Sequence, residues 1–154
     1  MPTLALQPLV TRVLLLGTTG VEKLTAWNNL LLERTQRATE LHTSPPATPR
    51  YIDFEKDFLK KESPHELFSF LESAEDVQHH AWNRAWAKLE AQLTSSDEDV
   101  AIAVHATFVR DGFGTRSFLA PERLSRLKLT DIITLIDDVY SCWSRTEKRA
   151  SPES

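Results

Sequence analysis

A single cysteine among 154 residues, Cys142, excludes an intrachain disulfide and makes a reducing cytoplasm the expected compartment. Long hydrophobic runs are lacking as well. The longest, Val13–Leu16 and Ile132–Ile136, fall far short of the ~20 apolar residues of a membrane-spanning helix. There is no basic excess: 18 Lys and Arg stand against 22 Asp and Glu, a net charge of −4. Nothing in that balance draws the chain to nucleic acid or to an anionic membrane. The opening Met1-Pro2-Thr3-Leu4-Ala5-Leu6 has no basic region and no signal-peptide layout. No internal repeat is visible. His79 and His80 are adjacent, so they do not share a helix face, and no cysteine or carboxylate stands at metal-ligand spacing. No Ser-His-Asp arrangement suggests a hydrolase.

What the chain has is an alternation of short apolar segments and amphipathic stretches. Its length suits one domain: a lead-in over residues 1–10, an α/β domain over 11–149, and a disordered tail over 150–154. Arg12–Leu16 reads as a strand, and a helix follows to about His42 with Trp27, Leu30, Leu31 and Leu41 at helical spacing. The prolines of Thr43–Pro49 break it, and Arg50–Phe54 gives a second strand. Ser63-Pro64-His65-Glu66 has the form of a helix start, with an N-cap serine and a proline at the first helical position. Ser73-Ala74-Glu75-Asp76 opens the next helix, which continues through Trp82, Trp86, Leu89 and Leu93; Trp82 and Trp86, four apart on one face, read as a core- or partner-facing stripe or as a base-stacking platform. Val100–Val104 is apolar throughout, as a strand covered on both faces must be. Asp111–Gly114 reads as a loop, Pro121-Glu122 as a short helix start, Ile132–Ile136 as a buried strand and Asp137–Arg149 as a last helix. This order predicts an α/β fold: a parallel sheet of about four to five strands flanked by helices, the first strand central and the third beside it.

The first strand ends in Gly17-Thr18-Thr19-Gly20-Val21-Glu22-Lys23-Leu24-Thr25. This nearly spells the phosphate-binding pattern G-x-x-x-x-G-K-[ST], in which backbone N–H groups and a helix N-terminus cradle phosphate, the lysine reaches the terminal phosphates and the hydroxyl holds magnesium. Glu22 replaces the second glycine and Leu24 the hydroxyl. A carboxylate therefore stands where phosphates would sit, and a metal ligand is gone. Lys23 is either a phosphate contact or a solvated lysine near a helix start.

The segment Gly17-x-x-Gly20-Val21-x-Lys23-x-Thr25 resembles the G-x-x-G-V-G-K-T-T loop of adenylate-kinase-like nucleoside monophosphate kinases, above all the archaeal-type branch, and thus a P-loop NTPase fold with a degenerate loop. The order of elements over residues 10–149 is similar to that family's. The resemblance implies ATP or another nucleotide as ligand, held by Gly17, Thr18, Thr19, Gly20, Lys23, Thr25 and His105. It implies Lys23, Asp137 and Arg145 as the residues of any phosphoryl transfer, with magnesium in question and no metal ligand assigned. The family's lid, fifth strand and last helix have no counterpart here, which would leave the fourth strand an open edge suited to a homodimer or a larger complex.

Several of these residues have a second reading. Asp137-Asp138, after an apolar strand, fit a magnesium-organising pair or the capping of a helix N-terminus. His105 lies where ligands bind at the C-terminal edge of a parallel sheet, or is a hydrogen-bonded rim histidine. Asp53, Glu55, Lys56 and Asp57 approach the acceptor in the resembled kinases, or are solvated charge. Arg110 and Arg116, and Arg145, Lys148 and Arg149, correspond to phosphate-clamping arginines or to ordinary surface cations. The expected function is a nucleotide- or phosphate-binding domain, catalytically weak or inactive; the alternative is a non-catalytic protein-interaction module on the same fold.

Overall fold

The computed structural model describes residues 10–63, 66–110 and 114–150. The expected lead-in and tail therefore lie outside the described residues, save Val10 and Ala150. The chain is α/β, with a five-stranded sheet flanked by helices. β1 (Arg12–Thr18) and β3 (Val100–Arg110) run parallel at the centre; β2 (Arg50–Asp53) lies outside β3, and β5 (Asp131–Thr134) outside β1. The order β2-β3-β1-β5 is all parallel, and β4 (Gly114–Arg116) adds an antiparallel hairpin to the far end of β3. The first strand is central with the third beside it, as the apolar runs predict.

Period-two alternation divides β1 between two cores. Leu14 faces the larger one, with Ile102, Val104, Trp82, Trp86 and Leu89. Val13 and Leu15 face a smaller one, with Trp27, Ala101 and Ala103. The helices divide in the same way. α1 (Lys23–Glu40) covers the smaller side with Trp27. α4 (Glu75–Thr94) covers the larger with the tryptophan stripe. There Phe54 meets Trp82 and Trp86 edge-on, with ring centroids 4.8 and 5.1 Å apart, a preferred aromatic geometry. Phe108 extends the cluster, and the β4 hairpin continues the pairing, so β3 runs six residues beyond the expected Val104 to Arg110.

Other local expectations change. A π-helical turn over Glu55–Leu59 runs on into α2 (Lys60–Glu62), and Ser63 ends that helix in an extended conformation instead of starting a new one. Extended geometry is what the residue before a proline adopts. α3 (Leu67–Glu72) begins only after Glu66; Pro64 and His65 lie outside the described residues. Leu41 falls past the end of α1 and is exposed. The strand expected over Ile132–Ile136 is β5, an edge strand that ends at Thr134, and Ile132 and Ile136 are exposed, not buried. After α5 (Pro121–Arg126) and β5, the last helix, α6, spans Val139–Ala150. The loop expected over Asp111–Gly114 is described only at Gly114, which begins β4. Among the described residues no helix is long and apolar enough to cross a membrane.

Arg12 locks the lower end of this assembly. Its buried guanidinium donates to the carbonyls of Leu93 and Ser96 at the end of α4, the latter at 2.9 Å, and to that of Leu127 after α5 at 3.0 Å. Those carbonyls are the ones a helix C-terminus leaves without intrahelical donors. Arg12→Met keeps much of the volume and removes the donors, so it is expected to lower unfolding free energy by about 1–3 kcal/mol, measured by chemical denaturation. Trp86→Ala, which empties a fully buried site, is expected to cost about 3–5 kcal/mol in the same assay.

Candidate functional site at the carboxyl edge of the sheet

Ligands of open parallel sheets bind beyond the carboxyl ends of the strands, and the predicted residues gather there. Lys23 is the first residue of α1 and is buried, which sets aside the solvated-lysine reading. The loop before it is a turn, as Gly17 and Gly20 allow, but three of its N–H donors are spent within the fold. Thr19 N–H donates to Thr107 O at 3.1 Å, Val21 N–H to Thr18 O at 3.2 Å, and Lys23 N–H to Val21 O at 3.0 Å. Thr19 Oγ1 accepts from Val109 N–H at 3.2 Å, so this hydroxyl is tied to β3. Thr18 and Thr25 are exposed.

α6 lies against the same loop. Gly20 has φ +88°, and a Cβ built there would come within 2.9 Å of Cys142 Cα. Backbone thus sits on backbone where a phosphate cradle needs open space. Arg145 fixes the contact: its Nε donates to Gly20 O at 2.7 Å, and its Nη2 pairs with the Asp137 carboxylate. Asp138 caps α6 by accepting from Ser141 N–H at 2.8 Å. The Ser141 hydroxyl first, and this backbone bond second, hold the Asp138 carboxyl below its ordinary value. The two readings of Asp137-Asp138 therefore part: the second acid caps the helix, and the first binds an arginine. Cys142 is buried.

The other charged group at this edge is Glu55, on the π-helical turn after β2. It is buried, and its Oε1 accepts from His105 N–H at 2.9 Å. The His105 ring nitrogen Nδ1 is 3.1 Å from the same oxygen, off the line of a straight hydrogen bond, so the contact is chiefly electrostatic. Burial pushes the Glu55 carboxyl up. The charge of His105, its two hydrogen-bond contributions and the Lys23 ammonium outweigh this, and the net direction is down. Lys23, Glu55 and His105 thus form one buried electrostatic unit. The reading of Glu55 as solvated charge is corrected.

Asp53 faces the same space. Its Oδ1 accepts from Lys56 N–H at 3.1 Å, while its own N–H donates to Asp57 at 2.9 Å. Burial raises the Asp53 carboxyl, against the hydrogen bond from Lys56. Burial likewise raises the Tyr51 hydroxyl, with Asp53, Glu55 and Asp57 adding to the effect. Beside this group lies a cavity of about 320 Å³, walled by Leu59, Leu67 and Phe70, with Asp53, Glu55 and His105 at the strand ends and Lys56 and Lys60 near the mouth. Lys60 pairs with Glu66 at 2.9 Å.

The structure therefore joins Lys23 to Glu55 and His105, and Arg145 to Asp137 and Gly20. Arg116 is not part of either group; it donates to Gln78 Oε1 at 2.7 Å, and that buried glutamine caps the end of α3 through Leu71 O and Ser73 O. The side chains of Arg110, Lys148 and Arg149 lie outside the described residues. Among the described residues no group of three His, Cys, Asp or Glu could hold a metal ion. Glu55 is the residue that sequence reasoning undervalued. No local signal in the sequence separates it from Asp53 and Asp57. Comparison with protein-family models and with curated proteins finds no match for the chain.

Two outcomes follow from this geometry. Because the folded-state carboxyl of Glu55 titrates below its ordinary value of 4.5, its contribution to stability is present above that pH and lost as pH falls through the folded value. Urea unfolding between pH 3 and pH 7 is expected to show a fall in stability below about pH 4.5 that is shallower in Glu55→Gln. Gly20→Ala is expected to cost about 1–3 kcal/mol, since it adds a side chain at positive φ against the α6 backbone. Amide exchange along α6 should speed up in that variant.

Proposed function

We propose that this chain is a non-catalytic module built on a P-loop kinase-like fold, acting by binding partners and not by transferring phosphate. The observation that carries the reading is the seating of the α6 backbone on Gly20, with three loop N–H groups already bonded inside the fold. Phosphoryl transfer needs positioned cations and an open cradle more than covalent chemistry. Here Lys23 is buried within electrostatic reach of the internal Glu55 carboxylate, and Arg145 binds Asp137 and the loop itself. The strand order β2-β3-β1-β5 and the loop residues support kinship of fold with the nucleoside monophosphate kinases. The cytoplasm, the compartment expected from the single cysteine, suits such a module. Its contact surface for a protein partner is the open edge formed by β5.

One observation favours a second reading, in which the module also takes a small phosphate-bearing compound. The 320 Å³ cavity beside Glu55 is of ligand size. Its apolar wall suits a ring, and Lys56 and Lys60 suit a phosphate.

Calorimetric titration of the whole chain with ATP, with and without magnesium, is expected to give no saturable heat. Glu22→Gly with Leu24→Thr, which repairs the loop in sequence only, is expected to leave that unchanged because α6 still covers it. Saturable ATP binding or turnover abolished by Lys23→Ala would overturn the non-catalytic reading. For the second reading, titration with a nucleoside monophosphate is expected to give heat that Lys56→Glu removes; silence in the wild-type chain would end it.

A further inference from the structure

The two edges of the sheet are finished differently. β2 follows Pro45, Pro46 and Pro49, starts at Arg50, which pairs with Glu98, and ends in Asp53. Proline and charge are the features that keep an edge strand from pairing with another chain. β5 carries one charge, the exposed Asp131 at its start, and its continuation through Ile132-Ile133-Thr134-Leu135-Ile136 contains neither. Among the described residues β5 pairs only with β1, so its outer row of backbone groups faces away from the sheet. Four large apolar side chains crowd this region. Ile132 is 56% exposed, Ile136 91%, Tyr140 74% and Trp143 51%. Tyr140 and Trp143 stand three apart on α6, with ring centroids 6.3 Å from one another. Exposed β-branched residues on an unprotected edge, with two aromatic anchors on the next element, are the makings of an interface and not of a solvated surface.

We propose that this edge docks a second copy of the same chain, β5 against β5, antiparallel about a two-fold axis. The inference rests on the interaction-module reading above and names its partner. Charge selects the occupant and its direction. The apolar run Ile132–Ile136 is preceded by the exposed Lys128, with Asp131 between them, and followed by the exposed Asp138, while Arg126 and Asp137 already pair with Glu90 and Arg145. In an antiparallel self-pair that sets Lys128 of each strand against Asp138 of the other, Asp131 stands opposite Leu135 and opposite charges meet at both ends of the ladder. A parallel pair would set like against like. The contact is isologous, so it closes on itself as a dimer instead of growing into a fibre. Both sheets then become one continuous sheet, and the Tyr140 and Trp143 side chains of the two copies are brought to the same seam.

Sedimentation velocity of the full chain across a wide range of concentration tests this. A monomer–dimer equilibrium is expected, with no larger species. Ile132→Lys places a charge on an already exposed position and is expected to weaken dimerisation about tenfold or more while leaving thermal unfolding of the monomer nearly unchanged. Lys128→Asp and Asp138→Lys each set like charges at both ends of the homodimer, and each alone is expected to dissociate it. Mixed together they form a heterodimer in which both ends are complementary again, and association is expected to return. Lys128 has φ +52°, a conformation that aspartate tolerates. A monomer at every concentration, a dimer indifferent to Ile132→Lys, or failure of the mixed pair to associate overturns the proposal. None of these outcomes bears on nucleotide binding, so the calorimetry above tests the underlying reading separately.

Discussion

The carboxylate of Glu55 is the interaction on which the carboxyl edge of the sheet depends. A buried ion is costly unless paired, and Glu55 is paired from two directions. β3 supplies the His105 N–H and ring, and the start of α1 supplies the Lys23 ammonium. One side chain after β2 therefore draws together the ends of two strands and the first turn of a helix. Lys23 can be buried because this charge is near it. In an open phosphate loop the lysine finds its counter-charge on a ligand; here the fold supplies one. With the lysine answered from inside, the loop has no electrostatic need of a phosphate, and α6 can settle over it. The short loop hydrogen bonds and the Arg145 link to Gly20 O are consistent with that settlement.

Much of the architecture was legible because it follows from periodicity. The continuous apolar run at Val100 marked a central strand, and the spacing of Trp82, Trp86, Leu89 and Leu93 marked the helix that covers it. The central place of the first strand, with the third beside it, followed from two wholly apolar runs flanked by helices. The failures were of two kinds. Where the burial of a segment is decided by what lies beside it, composition misled: Ile132 and Ile136 look like core and stand at an edge. Where two start signals compete, as at Ser63, the residue before proline took the extended conformation and ended a helix instead of opening one.

The site was legible in its parts and not in its pairing. Lys23, His105, Asp137 and Arg145 all stand at the expected edge of the sheet. Their partners are set by packing that no local pattern encodes. Nothing in the sequence around Gly20 announces that Cys142 will lie against it, more than a hundred residues on. Nothing around Glu55 distinguishes it from Asp53 and Asp57, until the π-helical turn places it inward while Asp57 binds the strand end. The loop's departures, Glu22 and Leu24, are visible in the sequence. The stronger obstacle is the helix above the loop.

The seating of Cys142 on Gly20 also bears on how such sequences evolve and are recognised. A glycine there is demanded by helix packing alone. A side chain there would press on the α6 backbone that Arg145 ties to the loop, so packing alone favours glycine whether or not a phosphate ever visits. Lys23 is held in the same way, by its internal counter-charge. Two of the most diagnostic letters of a phosphate-binding signature can thus persist under purely structural constraint. A pattern search that weighs them as chemistry would report a nucleotide site on residues that packing alone can account for.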